Sequence, residues 1–136
     1  MSKEVEETFV NTFVLKERRE RAAFELSSDS KRWKFLDRLC HEFSGVLDTR
    51  YFRPVDEIGY DPVALARRLK SLGAGDTCHV ISWNDKVDGK DIPLEEAARA
   101  VMSSGFASIL ICVPDALAYF EAEQVKGPPP RYLLVK

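Results

Sequence analysis

Two dipeptides set a thiol beside an imidazole: Cys40-His41 and Cys78-His79. Thiolate and imidazole are both zinc ligands, and two such pairs make up the donor set of a Cys2His2 site. The spacing speaks against it. Zinc ligands are usually separated by roughly two to four residues. Adjacent residues diverge by about 100° on a helix and point to opposite faces on a strand. Each dipeptide supplies one ligand easily and a second only with strain, so these pairs are not expected to hold a metal. The same residues offer a nucleophile and a base. A Cys paired with a His and oriented by an acid is a recurrent catalytic arrangement. Cys78, His79, Cys40 and His41 are therefore the catalytic candidates, although no local motif anchors them and none is assigned.

Residues 84–95 overlay a calcium-binding loop at Asp88, Gly89 and Glu95, its fifth, sixth and twelfth positions. Asp88 and Glu95 are the metal candidates. The first position is Asn84, the third is Lys86, which cannot be a ligand, and the segment entering the loop reads as a strand. The simpler reading is that Asp88-Gly89 makes a tight turn, Asp91 caps a helix and Glu95 sits near that helix's N-terminus. No cofactor is expected.

Charge is unevenly distributed. Residues 16–38 hold eight basic and five acidic side chains, a net of +3. Arg18, Arg19, Lys31 and Arg32 are the candidates for phosphate contact there, with Trp33 available to stack on a base. Acids interleave with them at helical pair spacings such as Glu17–Arg21, which favours a self-neutralised helix surface over a nucleic-acid site. Residues 76–96 hold six acidic and two basic side chains, a net of −4. These two regions can pair between subunits or within one chain.

Arg50-Tyr51-Phe52-Arg53 lies in a connection, residues 46–60, that shows no clear period. Tyr and Arg are enriched at interface hot spots, so this is the candidate partner-binding segment. The alternative is that Tyr51 and Phe52 pin the connection to the core. Tyr60 and Tyr119 are read as further surface-leaning aromatics. A phosphate-binding glycine loop, Gly-x-Ser-x-Gly and His-Glu-x-x-His are all absent from the sequence.

The elements that must position these residues follow from period and punctuation. Residues 4–26 read as helix: Val5, Phe9 and Phe13 make a stripe and 16–23 are strong helix formers. The β-prone run at 8–14 leaves a strand open there. A second helix is expected after a Ser28 or Ser30 cap, with Trp33, Leu36, Leu39, Cys40 and Phe43 inward and Phe35 outside that face. The third is marked by Asp61, Pro62 and Gly73, with Val63, Ala66, Leu69 and Leu72 as its stripe. Residues 77–83, 106–113, 117–123 and 132–135 read as strands, and 93–104 as a helix started by Asp91 and Pro93. Residues 127–130 read as a stiff proline linker. In strand 106–113, Ala107, Ile109, Ile111 and Val113 point one way and Phe106, Leu110 and Cys112 the other. It is therefore buried on both faces, covered by helices on both or by a second subunit on one.

At 136 residues, 45% hydrophobic and 31% charged, the composition is that of one soluble globular domain. The helical half is expected at about 1–73 and the sheet-containing half at about 74–136. Twenty basic against twenty-two acidic side chains give a net charge of −2, which argues against a dedicated nucleic-acid binder. The charged start is not that of a secretory leader, and the longest apolar run is far below the ~20 residues that span a bilayer. The cysteine count is odd, which suggests reduced thiols and a cytoplasmic location. The expected fold is α+β, with N-terminal helices on a small mixed sheet of about four strands and one β-α-β crossover. The expected function is a non-enzymatic protein-interaction or regulatory module that self-associates, with a dimer as the expected assembly. A small Cys/His-dependent enzyme, and RNA or single-stranded DNA binding through 16–38, are the alternatives.

Overall fold

Phe9, Val10 and Phe13 recur on one side of the first helix, and all three are fully buried. The computed structural model describes residues 2–55, 59–102, 104–125 and 129–136. Helix α1 (Ser2–Phe13) ends before Leu15, and a short 3-10 turn leads into α2 (Arg19–Ser27). Residues 4–26 are thus two helices, not one. The interruption places Val14 in an isolated β-bridge with Leu47, with Leu15 N–H donating to the Val46 carbonyl at 2.8 Å. The β-prone run at 8–14 contributes that one bridge.

Helix α3 (Arg32–Glu42) corrects two expectations. It starts without a side-chain cap. The Ser28 carbonyl accepts from both Lys31 N–H and Arg32 N–H instead. Its buried stripe is Phe35, Leu36 and Leu39, while Trp33 is half exposed. Two apolar stripes share Leu36 and Leu39, and the one that packs, with Phe35 rather than Trp33, also turns Arg32 inward, where two carboxylates meet it.

After a 3-10 turn at 49–51, strand β1 (Phe52–Pro54) is followed by α4 (Pro62–Ser71). The ends of this helix match their sequence signals, whereas its stripe is corrected from Val63 and Leu72 to Leu65. Asp61 Oδ1 accepts from Val63 N–H at 2.9 Å, Pro62 occupies the first turn and Gly73 takes φ 115° just past the end. Its buried side is Leu65, Ala66 and Leu69, and Leu72 lies exposed beyond the last turn.

The remaining elements are β2 (Thr77–Ser82), β3 (Asp91–Pro93), α5 (Leu94–Met102), β4 (Ser108–Val113), β5 (Leu117–Glu121) and β6 (Arg131–Val135). The sheet has six strands, not four, in the order β1-β6-β5-β4-β2-β3, and every pairing is antiparallel. The mixed sheet and the β-α-β crossover are therefore corrected. The cause is β3. The 83–90 loop, with Gly89 at φ 74°, turns the chain back along β2, so Asp91 opposes His79 and Pro93 opposes Thr77. Helix α5 then leaves from the end where β2 began and returns the chain to the end where it finished, and β4 must run back alongside. Asp91 lies in this strand and is not a helix cap. Residues 127 and 128 of the proline linker lie outside the described residues.

Strand β4 is apolar on both sides, and this chain's own helices cover both. Ile109 and Ile111 pack with α1, α2 and α3, while Leu110 packs with α4 and α5. Val113 joins the α4/α5 side, against the simple alternation, because the β4–β5 register shifts between Ile111 and Val113. Tyr119 is fully buried in that layer, not surface-leaning. Both edge strands are three residues long and end in proline, at Pro54 and Pro93, which blunts edge-to-edge pairing. None of the described helices is long and apolar enough to cross a membrane.

Candidate functional site

Five charged side chains from five parts of the chain meet at the β2–β3 edge. Arg32, at the start of α3, clamps two carboxylates. Its Nη1 and Nη2 donate to Glu6 Oε1 and Oε2 at 2.7 and 2.6 Å, and its Nε donates to Asp88 Oδ2 at 2.6 Å. Asp88 also accepts from Ser82 N–H at 2.9 Å, which ties the turn to β2. His79, on β2, bridges Glu6 Oε2 through Nε2 at 2.6 Å and Asp91 Oδ1 through Nδ1 at 3.0 Å. Glu6 and His79 are buried.

The electrostatics follow from these contacts. Burial pushes the Glu6 carboxyl upward, but hydrogen bonds from Arg32 and His79 outweigh it and hold the group below its ordinary 4.5. Burial likewise pulls His79 down, and Glu6 and Asp91 together raise it above its ordinary 6.5. A carboxylate facing each ring nitrogen favours the imidazolium form, which donates from both. That form has no lone pair left to act as a base. Cys78 lies on the opposite face of β2, in the α4/α5 layer, so the Cys78-His79 pair is not assembled as nucleophile and base. The cluster is an ionic clamp joining α1 and α3 to the sheet edge.

This clamp predicts a pH dependence. A raised folded-state pKa means that His79 stabilises the fold fully below pH 6.5 and progressively less as pH rises through its folded value. Glu6 acts in the opposite sense, its contribution being lost as pH falls below 4.5 toward its lowered value. Urea denaturation across pH should show wild type and His79→Asn converging as pH rises above 6.5. A gap that stays constant would remove His79 as the titrating group.

A second site lies at the other end of β2. Asp37, Cys40 and His41 from α3, Trp83 after β2, Phe106 before β4 and Glu123 after β5 line a groove of about 330 Å³. Trp83 Nε1 donates to Cys40 Sγ at 3.0 Å. His41 faces Asp37 at 3.4 Å and Glu123 at 4.0 Å. Burial raises the Cys40 thiol above its ordinary 9.0, and the charges of Glu123 and Asp37 add to this. Cys40 is therefore a protonated thiol at neutral pH and a poor nucleophile. Two large rings stay open to solvent at this groove, Trp83 at 36% and Phe106 at 49%. Comparison with family models, curated proteins and solved structures finds no match to this chain.

The other residues singled out by sequence fall into structural roles. Asp48 accepts from Arg50 Nη2 at 2.6 Å and from Arg50 N–H at 3.1 Å, which caps the 3-10 turn. Tyr51 and Phe52 pack on the core, Tyr51 edge-on to Phe13 and Phe52 against Tyr132 at 4.5 Å. Arg53 donates to the Arg50 and Phe52 carbonyls. That segment pins the connection to the sheet.

In the basic region, Arg19 donates to the Val14 carbonyl and Lys31 sits over the Phe24 ring. Arg38 forms a two-bond pair with buried Glu25. Arg18 is half-buried in the 3-10 turn before α2. One pair, Arg32 with Asp88, joins the basic and acidic regions within the chain. Glu95 pairs with Arg99, and among the described residues no group of three His, Cys, Asp or Glu side chains is placed to hold a metal ion.

Sequence reading missed Glu6, Asp91, Trp83 and Phe106. Glu6 had a signal, since it precedes Phe9, Val10 and Phe13 by three, four and seven positions and so shares their face.

Proposed function

We propose that the protein is a non-catalytic interaction module, working in a cytoplasmic setting, that takes a lysine or arginine side chain of a partner protein into the groove lined by Trp83 and Phe106. The observation that carries this reading is the pairing of two exposed aromatic rings with two carboxylates, Asp37 and Glu123, around one groove. Aromatic faces attract cations through their quadrupole, and nearby carboxylates add charge complementarity. Tryptophan anchors in partly desolvated pockets carry much of the binding energy in known interfaces. The raised thiol of Cys40 supports binding over catalysis. A reducing compartment fits the three free thiols.

The test is calorimetric titration with short peptides holding one arginine or lysine between apolar residues, against citrulline and norleucine versions. Cationic peptides should bind and neutral ones should not, with affinity falling as salt rises. Phe106→Ala should cost about 30-fold or more in affinity, the scale of a hot-spot residue. Its effect on stability should stay within about 0.5 kcal/mol, because the ring is largely solvent-exposed. Equal binding of neutral peptides, or no loss in Phe106→Ala, would overturn the reading. Sedimentation across concentration identifies the competing occupant: a dimer abolished by Phe106→Ala would place a second copy of the chain in the groove.

A further inference from the structure

We propose that Cys78 and Cys112 form a site of reversible cross-strand disulfide formation, oxidised by a low-molecular-weight disulfide. The β2–β4 register pairs His79 with Ile111 and Val80 with Leu110. Extending that ladder by one step would set Cys78 opposite Cys112. Both side chains lie on the α4/α5 face, where Cys78 is part of the buried cluster and Cys112 packs against it. Residues directly opposed in an antiparallel ladder have Cα atoms about 4.5–5.5 Å apart, within the ~4.4–6.8 Å that a disulfide spans.

Two further features favour closure. The two thiols are close enough for Cys78 to act on the Cys112 thiol, which donates to the Leu110 carbonyl at 3.9 Å. Cys112 sits at the point where the β4–β5 register shifts, and an irregular strand can move its Cβ without breaking a regular ladder. Access is asymmetric: Cys78 is buried, whereas Cys112 is only partly so. The third thiol, Cys40, lies in the opposite layer beside Trp83 and serves as an internal control.

The chemistry balances in two exchanges. The Cys112 thiol loses its proton and its sulfur attacks one sulfur of the small disulfide. A Cys112 mixed disulfide forms and one small thiol leaves, taking up a proton. The Cys78 thiol then loses its proton and its sulfur attacks Cys112 Sγ, which breaks the mixed disulfide and releases the second small thiol. The protein is oxidised by two electrons and the small disulfide is reduced by two. The neighbouring Cys78 and burial together push the Cys112 thiol upward, so the first exchange should accelerate as pH rises.

The experiment uses the whole chain, incubated with oxidised glutathione at neutral and mildly alkaline pH. It is then acid-quenched, unfolded, alkylated and read by intact mass and peptide mapping. The expected product is about 2 Da lighter before alkylation, takes up one alkyl group at Cys40 and yields a crosslinked peptide containing Cys78 and Cys112. Cys78→Ser should retain glutathione on Cys112, and dithiothreitol should restore three alkylatable thiols in the wild type. Three free thiols after incubation, or modification of Cys40 alone, would overturn the proposal. The wild-type map decides the matter even if a serine variant folds poorly.

Discussion

Replacing Arg32 by methionine should destabilise the fold by about 3 kcal/mol, because removing one partner of a buried ion pair strands the other. Here it strands two: Glu6 loses both bonds from the guanidinium, and Asp88 keeps only its bond from Ser82 N–H and any made to solvent. His79 remains beside Glu6 and supplies part of the missing charge, which sets the estimate at the lower end of the range for buried pairs. A loss of that size lowers the melting temperature by about 10 °C in a domain of this length. The double variant Arg32→Met/Glu6→Gln separates charge from packing. If an uncompensated carboxylate causes the loss, neutralising Glu6 should recover part of it. A double variant less stable than Arg32→Met would show that the methylene stem, not the charge, matters. Arg50 forms an equally short pair with Asp48 but is 76% exposed, so Arg50→Met should leave the denaturation midpoint almost unmoved.

The second large effect concerns the rotation of α3. Phe35→Ala should cost about 4 kcal/mol, the usual range for truncating a fully buried phenylalanine. Phe35 is 1% exposed within the layer formed by α1, α2 and the sheet. Trp33→Ala, two residues away and the larger side chain, should cost no more than about 0.5 kcal/mol, since the ring is 50% exposed. Urea denaturation of both variants checks the pair. The opposite order would mean that the helix packs through the stripe beginning at Trp33. Arg32 would then face outward, and the first prediction would fall with the second.

The same helix shows what was legible in the sequence. Its existence and limits follow from composition, but its rotation does not. Two apolar stripes compete there, and the deciding contacts lie 26 and 56 residues away, at Glu6 and Asp88. Helix α4 was readable because Asp61, Pro62 and Gly73 act locally. Strands β2, β4 and β5 were readable from β-branched and aromatic content. Strands β1 and β3 were not, since three residues cannot display a period and each ends in proline. Missing β3 is also what made the β2–β4 connection look parallel. The clamp stayed hidden because Glu6, Arg32, His79 and Asp91 sit on four separate elements, and Arg32, His79 and Asp91 were each read for a different role: phosphate contact, catalysis and helix cap. Cys40 and His41 did point to a groove, although for nucleophilic chemistry that the raised thiol does not support. Trp83 and Phe106, which define that groove, were read only as the ends of strands.

The separation between Glu6 and His79 has a consequence for how the chain comes off the ribosome. Their contact spans 73 residues, and at roughly 5–20 residues per second the helix carrying Glu6 waits ~4–15 s for its partner strand to be made. During that interval Phe9, Val10 and Phe13 have no sheet to cover them. Isolated helices of this length are marginal in water, so α1 spends the wait as a fraying amphipathic segment. It docks only once the far edge of the sheet exists.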